Sequence, residues 1–357
     1  MTRIRAFRKD DIPAVIALRA ESFRRSEQGE TGALPSYIAE VFFGNPWYDE
    51  ELPSLVAENA DGRLVGFLGI VPRRMTLGDR PLRVATTTQL MVARTAAPPV
   101  ASQLLRALFD GPQDFALADV ASLPARRLWE SLGGVTATTL SLSWIRLLRP
   151  FRHLVSRAAG DGRLARAAAA LTTPIDAAAT RLIAACARPL TPASGARRPL
   201  SDGDVADCLA TSLDGGTVRG CHDRTSVTWL LEMMRRRRSY GPLTTSRVVD
   251  VRGALLGWYV CHAPAGGCAR VVHVGARPHA AGIVLHHLFE DAWRRRCTAV
   301  TGRFDTRLVD ALAAHRAFVY WPDTWVLVHA RDRELRAAVA RDDAALTRLD
   351  GEWWMGF

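Results

Sequence analysis

Between Val84 and Gly134 the spacing of apolar positions changes its period several times. Val84-Ala85-Thr86-Thr87-Thr88-Gln89-Leu90-Met91-Val92 is rich in β-branched residues and predicts a strand. After a short loop from Arg94 to Pro99, Leu104, Leu105 and Leu108 share one face of a predicted helix, Val100 to Phe109. Phe115 to Val120 predicts a second strand, and Pro124 to Gly134 a second helix. Strand, helix, strand, helix is a parallel βαβ unit followed by one more helix.

The flanking pattern extends this unit. Ile4 to Ile12 predicts a strand running into a helix capped by Asp11, with Ile12, Val15 and Ile16 on its apolar face. Leu55 to Glu58 and Leu64 to Ile70 predict a hairpin around Asn59-Ala60-Asp61-Gly62, and Gly78-Asp79 a second turn. The second half echoes both features. Arg198 to Val205 matches Arg5 to Ile12, with Asp204 standing 193 residues after Asp11. Val248 to Trp258 matches the first hairpin, with Gly62 and Gly253, and Gly66 and Gly257, each 191 residues apart. Two echoes at nearly one offset predict an internal repeat. The second copy continues with a strand Ala269–Val274, a helix Ile283–Trp293, a strand Cys297–Phe304 and a helix Thr306–Phe318.

In order and length these elements resemble the acyl-CoA-binding half of the GCN5-related N-acetyltransferases. The resemblance implies an α/β (α+β) fold of two tandem acyl-CoA N-acyltransferase-like domains, each a mixed twisted sheet flanked by helices. In that family a backbone loop between the fourth strand and a helix N-terminus cradles the cofactor pyrophosphate, because free N–H groups attract anions there. The family loop reads Gln or Arg, two residues, Gly, one residue, Gly or Ala. In the first copy the register falls on Ala96, Pro99 and Ala101, and only the last position fits. In the second it falls on Arg277, Ala280 and Gly282, with only the middle glycine replaced. The implied acyl-CoA contacts are the backbone of Leu90, Met91 and Val92, the helix start at Val100 and Ala101, Ser122 in the place of a usual Asn, and Arg277, Ala280 and Gly282. The helical Tyr that protonates the leaving thiolate in the family is replaced by Trp129.

Amide formation from a thioester also needs a base near the fourth or fifth strand. Asp119 is the leading acid in the first copy, with Glu21 and Glu58 behind it, and His273 occupies the corresponding strand of the second. Structural uses compete with each: a strand-end cap for Asp119, a packed imidazole for His273.

The expected division is an N-terminal domain 1–148, a helical connector 149–197, a C-terminal domain 198–330, and a helix with aromatic tail 331–357. The connector is Ala- and Arg-rich, with apolar stripes broken at Gly160-Asp161-Gly162 and Pro174. The tail, Asp350-Gly351-Glu352-Trp353-Trp354-Met355-Gly356-Phe357, is similar to tails of tandem acetyltransferase-like proteins encoded beside bacterial exopolysaccharide genes. Three large aromatic rings predict that it docks rather than hangs free.

Composition narrows the function. With 357 residues the chain suits two domains, and 48% hydrophobic content with no membrane-length apolar run suggests a cytoplasmic globular protein. A net charge of +11, with Lys9 the sole lysine, points to an anionic partner such as a nucleotide cofactor. The runs Arg235–Arg238 and Arg294–Arg296 fit either solvated helix ends or phosphate contacts. Cys186, Cys208, Cys221, Cys261, Cys268 and Cys297 include no CxxC pair, which predicts reduced thiols and no metal site. The reading is an N-acyltransferase that moves an acetyl or other acyl group from acyl-CoA to an amine on a small molecule or a glycan. The alternatives are an aminoacyl transferase fed by charged tRNA, and a degenerate pair kept as a binding module.

Overall fold

The computed structural model describes residues 2–22, 34–96, 99–159, 194–210 and 216–355. Two sheets organise it. The first contains β1 (Arg3–Ala6), β2 (Leu55–Glu58), β3 (Leu64–Leu77), β4 (Arg80–Val92), β5 (Phe115–Ala121), β6 (Val135–Thr136) and β15 (Trp325–Ala330), in the order β1-β2-β3-β4-β5-β15-β6. The short strands β9 (Val218–Gly220) and β16 (Ala344–Ala345) extend it beside β3. The second sheet contains β7 (Ser143–Leu147), β8 (Ala196–Pro199), β10 (Leu243–Val249), β11 (Leu255–His262), β12 (Cys268–Ala276), β13 (Ala299–Arg303) and β14 (Phe318–Tyr320), in the order β8-β10-β11-β12-β13-β7-β14.

Read side by side, the two orders are alike, and at the same place each sheet takes a strand from the other half of the sequence. β15 pairs antiparallel with β5, from Ala330 opposite Phe115 to Trp325 opposite Ala121. β7 pairs antiparallel with β13, from Leu147 opposite Ala299 to Ser143 opposite Arg303. The compact units are therefore discontinuous: Met1–Ser141, Gly216–Leu230 and Asp323–Phe357 form one, and Leu142–Gly215 with Leu231–Pro322 the other. The contiguous division at 148, 198 and 330 differs from this because the ladder a strand completes, not its sequence neighbours, decides which core it joins. Val326, Leu327 and Val328 of β15 are fully buried. The connector between 160 and 193 lies outside the described residues, beyond the helix Pro150–Ala159.

The echoed positions do the same work in each half. Asp11 accepts the backbone N–H of Arg8 at 2.8 Å, and Asp204 that of Ser201 at 3.2 Å, each closing the start of its helix. A Cβ on Gly66 would lie 2.8 Å from Val100 Cγ1, in α3 (Val100–Phe109). One on Gly257 would lie 2.7 Å from Val284 Cγ2, in the helix Ala281–Arg294. Both glycines let a helix press onto the strand beneath it, which fixes where the helix N-terminus stands. Gly257→Ala should therefore overpack the second unit by about 1–3 kcal/mol and lower its melting temperature by several degrees. A melting curve unchanged within 1–2 °C, on the scale those costs imply, would contradict this packing.

Two predicted helices end early. The stretch from Thr306 is helical only to Ala314; Arg316 turns into left-handed backbone (φ 56°), and Phe318–Tyr320 becomes β14. In the C-terminal segment, expected as a helix with aromatic tail over 331–357, the helix covers only Arg333–Ala340. Asp342 is left-handed (φ 57°), Asp343 accepts the backbone N–H of Thr217 at 3.0 Å, and Ala344–Ala345 pairs with β9. A ladder partner distant in sequence outcompetes helix propensity in both places.

Cys208, Cys221, Cys261, Cys268 and Cys297 are free thiols, while Cys186 lies outside the described residues. Among the described residues no helix is long and apolar enough to cross a membrane.

Candidate active site

The first sheet opens where two parallel strands part. β4 and β5 pair only at Val84–Phe115, Ala85–Ala116 and Thr86–Leu117. Beyond that, the register between β3 and β4 jumps from Gly69–Thr88 to Phe67–Met91, so Gln89 and Leu90 share one partner position. Gln89 takes left-handed backbone (φ 52°), the mark of a bulge that bends its strand. The bent end of β4 leaves β5, and Ala118 to Ala121 keep a ladder partner only on the β15 side. At the fork, the Thr87 hydroxyl donates to Leu117 O at 3.2 Å.

The C-terminal segment closes this fork. Thr86 Oγ1 donates to the carbonyl of Asp350 at 3.1 Å, and the Glu352 N–H donates to Asp119 Oδ1 at 2.7 Å. The Thr88 side chain on β4 and the backbone of Asp119 and Val120 on β5 favour the ionised form of the Glu352 carboxyl. Burial and the neighbouring Asp119 charge outweigh that pull and push its pKa up to about 8. Glu352 is half-buried as a residue, while its carboxyl group is buried.

Asp350 anchors the segment. Its side chain accepts from Thr347 N at 2.8 Å and Thr347 Oγ1 at 3.0 Å, and lies 3.0 Å from His222 Nε2. Burial works to raise its pKa, but His222 and Thr347 hold it below the usual carboxylate range. Beside it, Arg73 of β3 is only 3% exposed, and its three guanidinium nitrogens have no hydrogen-bond partner. The guanidinium lies 3.9 Å from the ring centre of Trp47 and 5.4 Å from that of Trp354. Burial lowers its pKa to about 9, offset by the charges of Asp350 and Asp119. Trp229 stands perpendicular to both Trp47 and Trp354, and its Nε1–H donates to Glu40 Oε1 at 2.7 Å, from α2 (Leu34–Phe43).

Of the acids expected from the sequence, Asp119 lies within this cluster. Glu21, in α1 (Ile12–Ser22), is exposed and paired with Arg63 at 3.3 Å, and Glu58 is paired with Arg5. His273 belongs to the second unit, buried and stacked on Trp258 with ring centres 4.3 Å apart. It sits beside a comparable bulge, where Val260 faces His273 and Cys261 faces Val271, and β12 likewise pairs with β13 over three residues only.

Leu90 lies in the β4 bulge; Met91 is buried and Val92 faces Gly66. The Val100 side chain is wholly buried, so only its backbone is available at the start of α3. Val100 and half-buried Ala101 open that helix, where first-turn amides have no acceptor within the helix. Ser122 caps α4 (Leu123–Ser131), accepting from Ala125 N at 3.5 Å. Trp129 is buried against Phe109. In the second unit the Arg277 N–H donates to Leu256 O and the Ala280 N–H to Arg277 O, so both amides already serve the turn. The Gly282 carbonyl bonds His315 Nε2 at 2.9 Å. Three arginines of the two runs are ion-paired: Arg235 with Asp202, Arg294 with Glu290, Arg295 with Asp291. Among the described residues no His, Cys, Asp and Glu cluster is placed to hold a metal ion.

Sequence reasoning missed Glu352, Asp350, Arg73, Thr88 and His222. The acidic pair in the tail was visible, but apart from Thr347 its partners lie more than a hundred residues away, and no local period marks such contacts.

Residues 3–112 match the family model of the acetyltransferase (GNAT) domain. No curated protein matches the sequence. Among solved structures, a probable N-acyltransferase from Enterococcus faecalis V583 shares 9% identity at a TM-score of 0.60, over 96% of this chain and 74% of that one. A GCN5-related N-acetyltransferase from Kribbella flavida shares 15% at 0.59, over 95% and 73%. N-myristoyltransferase of Saccharomyces cerevisiae, solved with bound myristoyl-CoA and inhibitors, shares 10% at 0.55, over 97% and 86%. At such identities the likeness is one of fold. The chain thus carries a GNAT acetyltransferase domain match at its start and, along nearly its whole length, a fold shared with N-acyltransferases.

Proposed function

We propose that the protein is an N-acyltransferase that moves an acyl group from acyl-CoA to an amine at the fork of the first unit. The observation that carries this reading is the parting of β4 and β5 beyond Thr86–Leu117, next to the Gln89–Leu90 bulge, with the Asp119 carboxylate on β5 holding the Glu352 N–H beside it. The residues present fit such a ligand. The free edge of β4 at Leu90, Met91 and Val92 would hold the amide groups of an extended pantetheine arm by strand-like hydrogen bonding. The first-turn amides of Val100 and Ala101 would hold the pyrophosphate. In the second unit, two amides of the matching loop are already spent, which favours the first. An amino group on a small molecule or sugar is the acceptor class. The tRNA-dependent and non-catalytic alternatives gain no specific observation among the described residues.

Calorimetry with acetyl-CoA, and with longer acyl-CoA thioesters, tests the reading. Val100 is too deeply buried to carry a charge, so the probe is Ala101→Asp, which places an acid at the helix N-terminus. It should weaken binding by about tenfold or more, while Arg277→Ala leaves it unchanged. A wild-type protein that binds no acyl-CoA would end this proposal.

A further inference from the structure

We infer that Arg73 binds a carboxylate of the acceptor, so that the acceptor is an amine joined through several bonds to an acid group; this deepens the acyl-transfer reading above and rests on it. Arg73 is 3% exposed, and its Nε, Nη1 and Nη2 are all buried without a hydrogen-bond partner. A buried charge left unpaired is costly, and here every N–H of the fork is unmet at once. The acids nearby are occupied. Asp350 accepts from Thr347 N and Oγ1 and meets His222 Nε2, and Asp119 Oδ1 holds the Glu352 N–H. Their charges favour the protonated guanidinium, yet neither carboxylate bonds it.

The surroundings select a planar anion. The guanidinium lies 3.9 Å from the ring centre of Trp47 and 5.4 Å from that of Trp354. An arginine stacked on an aromatic ring keeps its N–H edge free, and a carboxylate meets that edge with two parallel bonds. The Trp354 Nε1–H, also buried and without a partner, is a further donor beside it. β9 pairs with β3 up to Met75–Gly220, and the Cys221 N–H donates to Arg74 O at 2.9 Å, which carries His222 opposite Arg73. The His222 Nδ1 is likewise buried and unpartnered.

Strand alternation sets this site apart from that of the cofactor. Phe67 packs on Phe42 of α2 with ring centres 5.5 Å apart, and a Cβ on Gly69 would lie 2.8 Å from Phe42 Cζ. Arg73 lies on the same face of β3 as these two, whereas Gly66 meets Val100 of α3 on the other. The helix start that would hold the pyrophosphate therefore belongs to the opposite face, and Arg73 serves a different anion. Gly69 pairs with Thr88 beside the bulge, and Arg73 follows four residues later, about 13 Å along the strand. That is longer than an arginine side chain, so the amine and the carboxylate of the acceptor stand several bonds apart. Trp354 belongs to the closing segment, and the acceptor enters as that segment lifts.

Calorimetry with 6-aminohexanoate and its neutral amide, 6-aminohexanamide, tests this, with and without coenzyme A present. The acid should bind about tenfold more tightly than the amide or better, the yield of a charge-assisted pair of bonds. Arg73→Lys keeps the charge but not the fork and should lose most of that ratio, and Arg73→Met should abolish it. The ratio compares two ligands on one protein, so a loss of stability in a variant does not imitate it. In transfer assays the same preference should appear in KM for the acceptor. Equal binding of acid and amide, binding of neither, or a ratio that survives in Arg73→Met would overturn the assignment and leave acyl transfer to other amines standing. Absence of acyl-CoA binding and transfer in wild type would instead end the transfer reading and the acceptor with it, and the acid-to-amide ratio would decide alone whether Arg73 is an anion site.

Discussion

Trp354→Ala should cost the first unit about 3–5 kcal/mol, the usual loss when a large buried aromatic is truncated and its site collapses only in part. Trp354 is fully buried, stands perpendicular to Trp229 with ring centres 5.3 Å apart, and covers the Arg73 guanidinium. For a unit of this size such a loss lowers the melting temperature by roughly 6–20 °C. The indole N–H adds a second, finer expectation. Trp354 Nε1 is buried without a hydrogen-bond partner, so the indole brings a desolvation cost along with its packing. Trp354→Phe keeps most of the ring and removes the orphaned donor, and should cost less than about 1.5 kcal/mol. Differential scanning calorimetry on the two variants decides it. Equal, small effects would mean that the segment is not seated under Trp229.

Much of the fold could be read from the sequence because its signals are local. The run Val84–Val92 and the Leu104, Leu105, Leu108 stripe lie within one strand and one helix, and both elements form where expected. The two hairpins were marked by turn residues, and the strands on either side pair as expected. The echo of Gly66 in Gly257 was legible as spacing, and the structure supplies its cause, a helix pressed onto a strand. What could not be read was the destination of β7 and β15. An apolar run such as Val326-Leu327-Val328 says that a strand is buried, not which sheet it completes.

The site divides in the same way. Asp119 was recognisable because it ends a strand in the expected place. Glu352 was not, since its one hydrogen-bond partner, Asp119, lies far away in the chain. Arg73 gave no sign either. In sequence it is one of two arginines in a strand; only packing shows that Arg73 is buried between tryptophans while Arg74 is exposed. A tail with three large aromatic residues did predict docking, and Trp354 and Met355 are fully buried, while Phe357 lies outside the described residues.

Gly351→Ala should have the largest functional effect for the smallest chemical change. A Cβ at this position would lie 2.5 Å from Asp119 Oδ1, with Asp119 Cγ and Oδ2 nearer still. Asp119 cannot swing away cheaply, because it is buried on β5 and its Oδ1 accepts the Glu352 N–H. The added methyl must therefore lift the segment from β5 and break the bond from the Glu352 N–H to Asp119 Oδ1. A displacement of about 1 Å in a segment that closes a reacting site costs on the order of a hundredfold in rate. The variant should lose transfer by at least that factor, and overpacking should lower its melting temperature by several degrees. A second substitution separates the two losses. In Gly351→Ala with Asp119→Ala the clash is relieved, so stability should return in part, a coupling expected of residues in contact. Activity should not return, because the acceptor that holds Glu352 is gone. If Gly351→Ala alone melts and turns over like wild type, the segment does not lie against Asp119, and the fork must be closed by something else.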